Sequence, residues 1–485
     1  MSPAAGLDDG GRDECGVFAV YAPGEDVAKL SYYGLYALQH RGQEAAGIAV
    51  SDGRHILVTK EIGLVSQVFS EPRLAGMDGH LGIGHVRYST TGGSTWENAQ
   101  PAFCSTPSGG GLALAHNGNL VNTADLARLL GPAGDKCATD SALLAELLAR
   151  GARGCLPGGQ GADVERTLAL ACAQARGAYS LVVMDERTIY AARDPHGIRP
   201  LVFGTLGQGG WVVASETPAL DIVGARYVRE VAPGELIAID DRGFRSRQFA
   251  DPDPHACLFE YVYVARPDHR VGDRTMYSAR RRMGEALAAE APVEADLVIP
   301  VPDSGTSAAA GYAQASGIPY AEGLTKNRYV GRTFIQPTHT LRQLGIRLKL
   351  NPLRDVIGGK RLVVVDDSIV RGNTSRQLVA MLRDAGAAEI HLRITSPPVR
   401  HPCFYGIDMA TREELIASRS DVEGVRAFLG ADSLAYLSLD RLVEASGKPY
   451  DQLCHACFNG QYPIPVPDEQ QEAGKDVLVA LRAGS

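Results

Sequence analysis

Arg361-Leu-Val-Val-Val-Asp-Asp-Ser-Ile-Val-Arg-Gly-Asn-Thr-Ser375 reads as a buried strand that breaks into an acidic, hydroxyl-rich loop at the start of a helix. After Arg361 the run Leu362 to Val365 is wholly apolar. A strand with one wet face would alternate, so this one is expected to be covered on both faces. Asp366 and Asp367 then fall at its carboxyl end, the edge at which open parallel sheets bind ligands. Two adjacent carboxylates suit a Mg²⁺ ion or ribose hydroxyls. Gly372, Asn373, Thr374 and Ser375 add backbone N–H groups and hydroxyls at the positive end of the next helix, where a phosphate is held. The stretch predicts a parallel α/β sheet with a sugar-phosphate site at the end of a strand.

The same rhythm of strand, loop and helix recurs upstream. Leu297–Val301 precedes a helical pattern over Thr306–Ser316 that ends at Gly317, as the pattern over Thr374–Ala385 ends at Gly386. The intervening loop offers Asp303, Ser304, Gly305, Thr306 and Ser307, whose hydroxyls and N–H groups suit a pyrophosphate, with Ser304 near a metal ion. Ser304 or Thr306 would serve equally well as a helix cap, and the two roles are compatible. Before about residue 250 the pattern differs: Cys15–Tyr21, Leu112–Ala115, Tyr179–Met184 and Trp211–Ala214 are short apolar runs between glycine-rich turns. That density of strands predicts a sheet-rich layered unit. Two helices are expected to pack on it, one over Val27–His40 with Leu30, Tyr33, Gly34, Ala37 and Leu38 on its stripe, the other over Ser141–Ala149. Asp251-Pro-Asp-Pro-His-Ala256 reads as an interdomain linker.

Composition narrows the class. The chain has 485 residues, 45% hydrophobic and 21% charged, with a net charge of −8. These values describe an ordinary globular protein and argue against a general nucleic-acid or membrane-surface role. No stretch approaches 18 apolar residues, and Met1–Glu14 lacks the apolar core of a secretory signal. Nine cysteines in such a chain predict a reducing compartment, hence the cytoplasm, with Cys acting as nucleophile or metal ligand.

Cys15 gains meaning from its companions. Gln39-His-Arg-Gly-Gln-Glu-Ala-Ala-Gly-Ile48, Gly84-His-Val-Arg-Tyr88, His116-Asn-Gly-Asn119 and Thr139-Asp140-Ser141 follow it, and in this order they resemble the class II glutamine amidotransferase domain. That resemblance implies an α+β N-terminal-nucleophile hydrolase fold, an αββα sandwich, over residues 15–250, preceded by a propeptide over residues 1–14. It also implies that Cys15 becomes the chain's N-terminus, so that its own α-amine, with an ordinary pKa of about 7.7–8.0, takes the thiol proton. Arg87 and Asp140 would clamp the α-carboxylate and α-amine of glutamine, and Asn117 and Gly118 would form the oxyanion hole. Taken alone, Arg87 reads equally as a surface ion pair and Asn117-Gly118 as a hairpin turn.

The Arg361–Ser375 stretch resembles the phosphoribosyl pyrophosphate (PRPP) loop of type I phosphoribosyltransferases, which implies that Ser368 and Arg371 join the other residues of this loop in binding. Lys326-Asn-Arg-Tyr-Val-Gly-Arg-Thr-Phe334, within a run from Gly323 to Arg354 that has seven basic and no acidic residues, resembles the loop that closes over PRPP in glutamine PRPP amidotransferases, which implicates Lys326 and Arg328. His339 departs from the Gln expected there. Four cysteines, Cys257, Cys403, Cys454 and Cys457, lie in segments that resemble the iron–sulfur subgroup of that family, which implies a [4Fe–4S] cluster; four thiolates suit Zn²⁺ as well. His455 is expected to be a solvated neighbour of this set. Cys104, Cys137, Cys155 and Cys172 are expected to be small core residues.

The whole resemblance implies a linker over 251–275, an α/β phosphoribosyltransferase domain with a parallel sheet over 276–440 and a ligand-bearing tail over 441–485. The expected activity joins ammonia from glutamine to PRPP, giving 5-phosphoribosylamine, glutamate and pyrophosphate at the first step of de novo purine nucleotide biosynthesis. Mg²⁺ would bind at Ser304, Asp366 and Asp367. Purine nucleotides are expected as inhibitors and a homo-oligomer as the assembly, with no nucleic-acid or membrane partner. Two alternatives remain at this point. One is a glutamine-dependent sugar-phosphate aminotransferase, which should lack the Val-Asp-Asp-Ser loop. The other is a PRPP-sensing regulator without catalysis.

Overall fold

The computed structural model describes residues 14–88, 95–106, 109–161, 163–207, 209–327, 349–409, 411–468 and 471. The amino-terminal unit is built from two antiparallel sheets. One has seven strands in the order 226–230, 202–206, 210–214, 16–21, 81–87, 45–51, 56–62. The other has six in the order 243–248, 235–240, 189–193, 177–184, 111–120, 102–105. Alternation along each strand explains the stacking. Val17 and Ala19 point inward to meet Ala113, Ala115, Val182 and Ile237 of the second sheet. Phe18 and Val20 point outward against Leu35 and Leu38 at the helix Val27–Ala37. Leu112, Leu114 and Leu181 of the second sheet face Leu143, Leu144 and Leu147 of the helix Asp140–Arg150. The layers are therefore helix, sheet, sheet, helix, the αββα sandwich expected. One detail differs: Tyr33 is 48% exposed, because the stripe that packs runs through Val27, Ser31, Gly34, Leu35 and Leu38.

The second unit centres on a four-stranded parallel sheet ordered 297–300, 361–366, 389–394, 433–436. Its apolar strand is covered twice, as its composition requires. Val363 and Val365 pack with Met283, Leu287 and Tyr312 of the helices Met276–Glu290 and Thr306–Ser316. Leu362 and Val364 pack with Leu378, Val379 and Leu382 of the helix Asn373–Asp384.

The connection between the units is packed. Ala256 and Cys257 pair in parallel with Leu453 and Cys454, and Leu258, Phe259, Tyr261 and Val262 are buried. They belong to an apolar cluster that reaches from Val121, Ala178 and Ile198 of the first unit to Val363 of the second. No helix among the described residues is long and apolar enough to cross a membrane.

Candidate active sites and a four-thiol site

Cys15, Arg87, Tyr88, Gln100, His116, Gly118, Thr139, Asp140 and Ser141 line one pocket in the first unit. Cys15 stands immediately before the central strand Gly16–Tyr21, and its thiol donates to the Tyr88 carbonyl at 3.3 Å. Burial pushes that thiol up to about 11, against the lowering effects of a hydrogen bond with the Tyr88 backbone and of Arg87. Asp140 opens the helix Asp140–Arg150, whose positive end favours a carboxylate. Its oxygens accept from Ser141 N at 2.8 Å and Leu120 N at 3.2 Å, which fixes the carboxylate at the pocket wall.

Arg87 is 3% exposed, so the surface ion-pair alternative does not hold. Neither does the hairpin: Asn117 and Gly118 lie in the strand Gly111–Leu120, paired with Ser180 and Tyr179. Both side-chain atoms of the Asn117 amide are buried without a hydrogen-bond partner. An unpaired buried amide is costly in a folded protein, so its retention calls for a reason. Sequence reading missed His116, Gln100 and Ser141 as pocket residues, although His116 and Ser141 stood in the quoted motifs. Gln100 ties this wall together, accepting from His116 N at 2.8 Å and donating to Ser141 Oγ at 3.0 Å.

A buried ionic network lies beneath this pocket. Arg41 donates to the Cys15 carbonyl at 3.0 Å, to Glu216 at 2.5 Å, to Glu260 at 2.7 Å and to Glu14 at 2.8 Å. Arg199 pairs with Glu14 and Glu260. Burial works to raise Glu216 and Glu260, but His40 and Arg41 hold Glu216 well below the usual carboxylate range, and Arg41 and Arg199 lower Glu260.

In the second unit Asp366 ends its strand, and Asp367 and Ser368 follow as buried residues. Burial, then the neighbouring Asp367, raises Asp366 well above its ordinary value. Such a pair calls for a cation or hydroxyl donors. Ser368 Oγ donates to Asp367 at 2.5 Å. Gly372, at φ +81°, starts the helix that carries Asn373, Thr374 and Ser375. Arg371 donates to Glu414 at 3.1 Å. Gly305 precedes the helix Thr306–Ser316, and a Cβ there would lie 2.3 Å from the Val365 carbonyl, so the upstream loop presses against the acidic strand end. Ser304 and Ser307 share that loop and helix start, and Lys326 Nζ meets Asp303 at 2.6 Å. Arg328 and His339 fall outside the described residues.

Cys257, Cys454 and Cys457 are buried and Cys403 is partly buried. The four thiols share one neighbourhood: burial raises those of Cys257, Cys454 and Cys457, and each also feels the charge of other members of the set. Arg199 stands beside them. His455 is buried, 4.3 Å from the Tyr450 ring and 2.9 Å from Asn459 Nδ2, which corrects the expectation that it is solvated. Among the described residues the one group of three or more ligand atoms within 4.8 Å of one another is His196, Asp253 and His255. The four sulfurs are therefore spread more widely than that. Of the remaining cysteines, Cys137 and Cys172 are buried and Cys104 and Cys155 are partly buried.

A glutamine amidotransferase domain model matches residues 85–221. The chain is 60% identical over 486 residues to a Mycobacterium tuberculosis amidophosphoribosyltransferase, covering 98% of this chain and 90% of that one. It is 48% identical over 462 residues to the Bacillus subtilis amidophosphoribosyltransferase, covering 94% and 95%. The solved structure of the B. subtilis glutamine PRPP amidotransferase in complex with ADP and GMP superposes with a TM-score of 0.86 at 46% identity, over 93% of this chain and 98% of that one. A structure described as the allosteric regulatory enzyme of purine biosynthesis gives 0.87 at 47% identity, over 93% and 97%.

Proposed function

Because the chain belongs to the amidophosphoribosyltransferases, at once glutamine amidotransferases and pentosyltransferases, we propose which of its residues carry each half of the reaction. The enzyme makes 5-phosphoribosylamine, glutamate and pyrophosphate from PRPP, glutamine and water. The observation that carries our assignment is the pocket in which Cys15, Arg87, Asp140 and Gly118 meet, with the unpartnered Asn117 amide next to Gly118 in the same strand. Cys15 attacks the glutamine amide, Arg87 and Asp140 hold the amino-acid end, and Asn117 with the Gly118 N–H receives the developing oxyanion. A thiol held near 11 is almost fully protonated at neutral pH, so we assign its base to the Cys15 α-amine, exposed once residues 1–14 are removed as a propeptide.

The released ammonia displaces pyrophosphate at C1 of the ribose. Asp303, Ser304, Gly305, Thr306 and Ser307 hold the pyrophosphate, Lys326 and Arg328 cover it, and Asp366 through Ser375 hold the ribose phosphate. The repulsion at Asp366 and Asp367 fits a Mg²⁺ site completed by Ser304, and the ion when bound neutralises the leaving group.

The four thiols suit a [4Fe–4S] cluster, the group carried by the iron–sulfur subgroup whose segments these resemble, and four thiolates suit Zn²⁺ as well. Arg199 offsets the charge such a group places in this buried site. When bound, the cluster supplies a cross-link between three distant segments.

We further assign residues 15–250 to the glutaminase and 276–440 to the transferase, joined through 251–275, with 441–485 as the tail. Cytoplasmic residence, purine nucleotide inhibition and a homo-oligomer complete the proposal. Cys15→Ala tests the division of labour: glutamine-dependent product formation should vanish while pyrophosphate release driven by added ammonia persists. Loss of both would refute it.

A further inference from the structure

The glutaminase pocket and the four-thiol site are joined by a run of four residues, Cys403–Gly406. Cys403 contributes one of the thiols, and its sulfur accepts from Tyr405 N at 3.4 Å. The next carbonyl, Phe404 O, accepts from Asn119 Nδ2 at 2.9 Å, so it is tied to the strand that carries Asn117 and Gly118. Two residues further, Gly406 lies directly on Gly118. At φ +117° it adopts a backbone conformation open to glycine, and a Cβ there would come within 3.0 Å of Gly118 Cα and 3.1 Å of its carbonyl carbon. Gly118, at φ +145°, is equally confined on its other side, where a Cβ would overlap the Ala178 carbonyl. The oxyanion strand is thus clamped between Ala178 and Gly406.

The far end of the run is fixed as firmly. Arg400 N and His401 N donate to the Cys457 carbonyl at 3.0 and 3.1 Å. Tyr462 Oη donates to the Pro402 carbonyl at 2.7 Å, and Tyr405 Oη bonds Ile464 O at 2.5 Å and Ile464 N at 3.1 Å. The hydrogen bonds that Phe404 and Tyr405 make to other segments thus run to Asn119 of the oxyanion strand and to Ile464 of the thiol-bearing tail.

From this juxtaposition we infer that Cys403–Gly406 is a strut by which the thiol site positions the glutaminase oxyanion hole, with Gly406 and Asn119 as positioning residues. The inference rests on the assignment of Asn117 and Gly118 as oxyanion donors and of Cys403 as a cluster ligand. Its consequence is directional. Loss of the group held by the thiols releases Gly406 from Gly118 and stops ammonia production, while Arg87, Asp140 and the PRPP loops keep their places.

The experiment uses the full-length enzyme purified without oxygen. Gly406→Ala should lower kcat for glutamine hydrolysis by about a hundredfold, the loss that follows removal of one oxyanion donor. KM for glutamine, ammonia-dependent activity and bound iron should stay within about twofold of the parent, because ground-state contacts are untouched. Asn119→Ala, which removes the hydrogen bond to Phe404 O and adds no bulk, should give the same split at about a tenfold loss. Cys15 alkylation by iodoacetamide, which needs no oxyanion hole, should proceed at the parental rate in both variants. Chelation of iron from the parent should depress glutamine hydrolysis ahead of ammonia-dependent activity.

Unchanged kcat in both variants, or KM rising in step with the fall in kcat, overturns the strut. Parallel decline of the two activities on chelation, or a fully active parent without metal, overturns its link to the thiol site. Asn117→Ala separates the premises: if it leaves kcat intact the oxyanion assignment fails, and if it lowers kcat while Gly406→Ala does not, the strut alone fails.

Discussion

Exposing the Cys15 α-amine should decide whether the glutaminase works at neutral pH. Two chains make the comparison. In one, Met precedes Cys15 directly and is removed by the cell; in the other, a single alanine remains ahead of Cys15. The second chain keeps the thiol, Arg87, Asp140 and Asn117 but converts the amine into an amide, which cannot take a proton. Its thiol is then held up at about 11, chiefly by burial. At pH 7.5 about one thiol in three thousand is ionised, so glutamine hydrolysis should fall by roughly 10³-fold. The pH profiles should differ in shape as well. The extended chain should gain about tenfold per pH unit up to the limit of its stability, while the chain with a free amine should level off above about pH 8 as that amine loses its proton. Intact mass verifies each N-terminus, a coupled glutamate assay reads the rates, and ammonia-dependent pyrophosphate release should be equal in the two. Equal glutaminase rates at pH 7.5 would refute the assignment of the amine as base.

The acidic strand end gives a result of opposite sign in stability and activity. Asp366 is raised, so its ionisation above pH 3.8 costs stability in the ligand-free protein. Asp366→Asn should therefore raise Tm without ligand, abolish PRPP turnover and remove the Tm increase that Mg²⁺ with PRPP gives the parent; a lower ligand-free Tm contradicts the reading. In the buried network, Glu260→Gln leaves Arg41 and Arg199 short of a carboxylate and should cost about 3–5 kcal/mol by denaturant unfolding. Glu216 and Glu260 are both depressed, so their contribution stands above their ordinary value of 4.5 and is lost as the pH falls through their folded-state values, and the Glu260→Gln deficit should shrink in acid. Replacing Cys454 or Cys457 by Ser should lower soluble yield and remove the broad absorbance near roughly 400 nm together with iron and sulfide; stoichiometric zinc in the parent would rule out the cluster.

The parts of this fold that sequence disclosed are those governed by local chemistry. Leu362–Val365 had to be a doubly covered strand, and Thr306–Ser316 begins and ends at the residues its pattern indicated, with Gly317 left-handed at its end. Asn117-Gly118 shows the opposite case. As a dipeptide it is a turn signal, yet it sits inside a ten-residue strand paired with Ser180 and Tyr179, where a Cβ at Gly118 would overlap the Ala178 carbonyl and one at Gly406 would crowd Gly118. Gly406 is far away in sequence, so no local pattern carries that information. The burial of Arg41, Glu216 and Glu260 was equally hidden, since charged residues are exposed by default and only their mutual pairing makes burial tolerable. The proximity of Cys257, Cys403 and the Cys454-Cys457 pair came through resemblance, and the pairing of Ala256–Cys257 with Leu453–Cys454 supplies its structural cause.

Glu14 poses the sharpest test of consistency. A residue assigned to a removable segment is fully buried and bonded to two arginines, which on its face argues for a permanent place. The charge balance points the other way. With Glu14 present, Arg41 and Arg199 face three carboxylates, Glu14, Glu216 and Glu260; without it, two cations face two anions. Departure of Glu14 therefore leaves no buried guanidinium without a carboxylate. Arg41 keeps its hydrogen bond to the Cys15 carbonyl, so the head of the strand stays fixed beside the new amine. Before cleavage the same contacts hold the Glu14–Cys15 bond in a fixed position at the head of the strand Gly16–Tyr21. On the proposed cleavage, Glu14 would anchor the uncleaved chain, and its loss would bring the network to neutrality as the amine is freed.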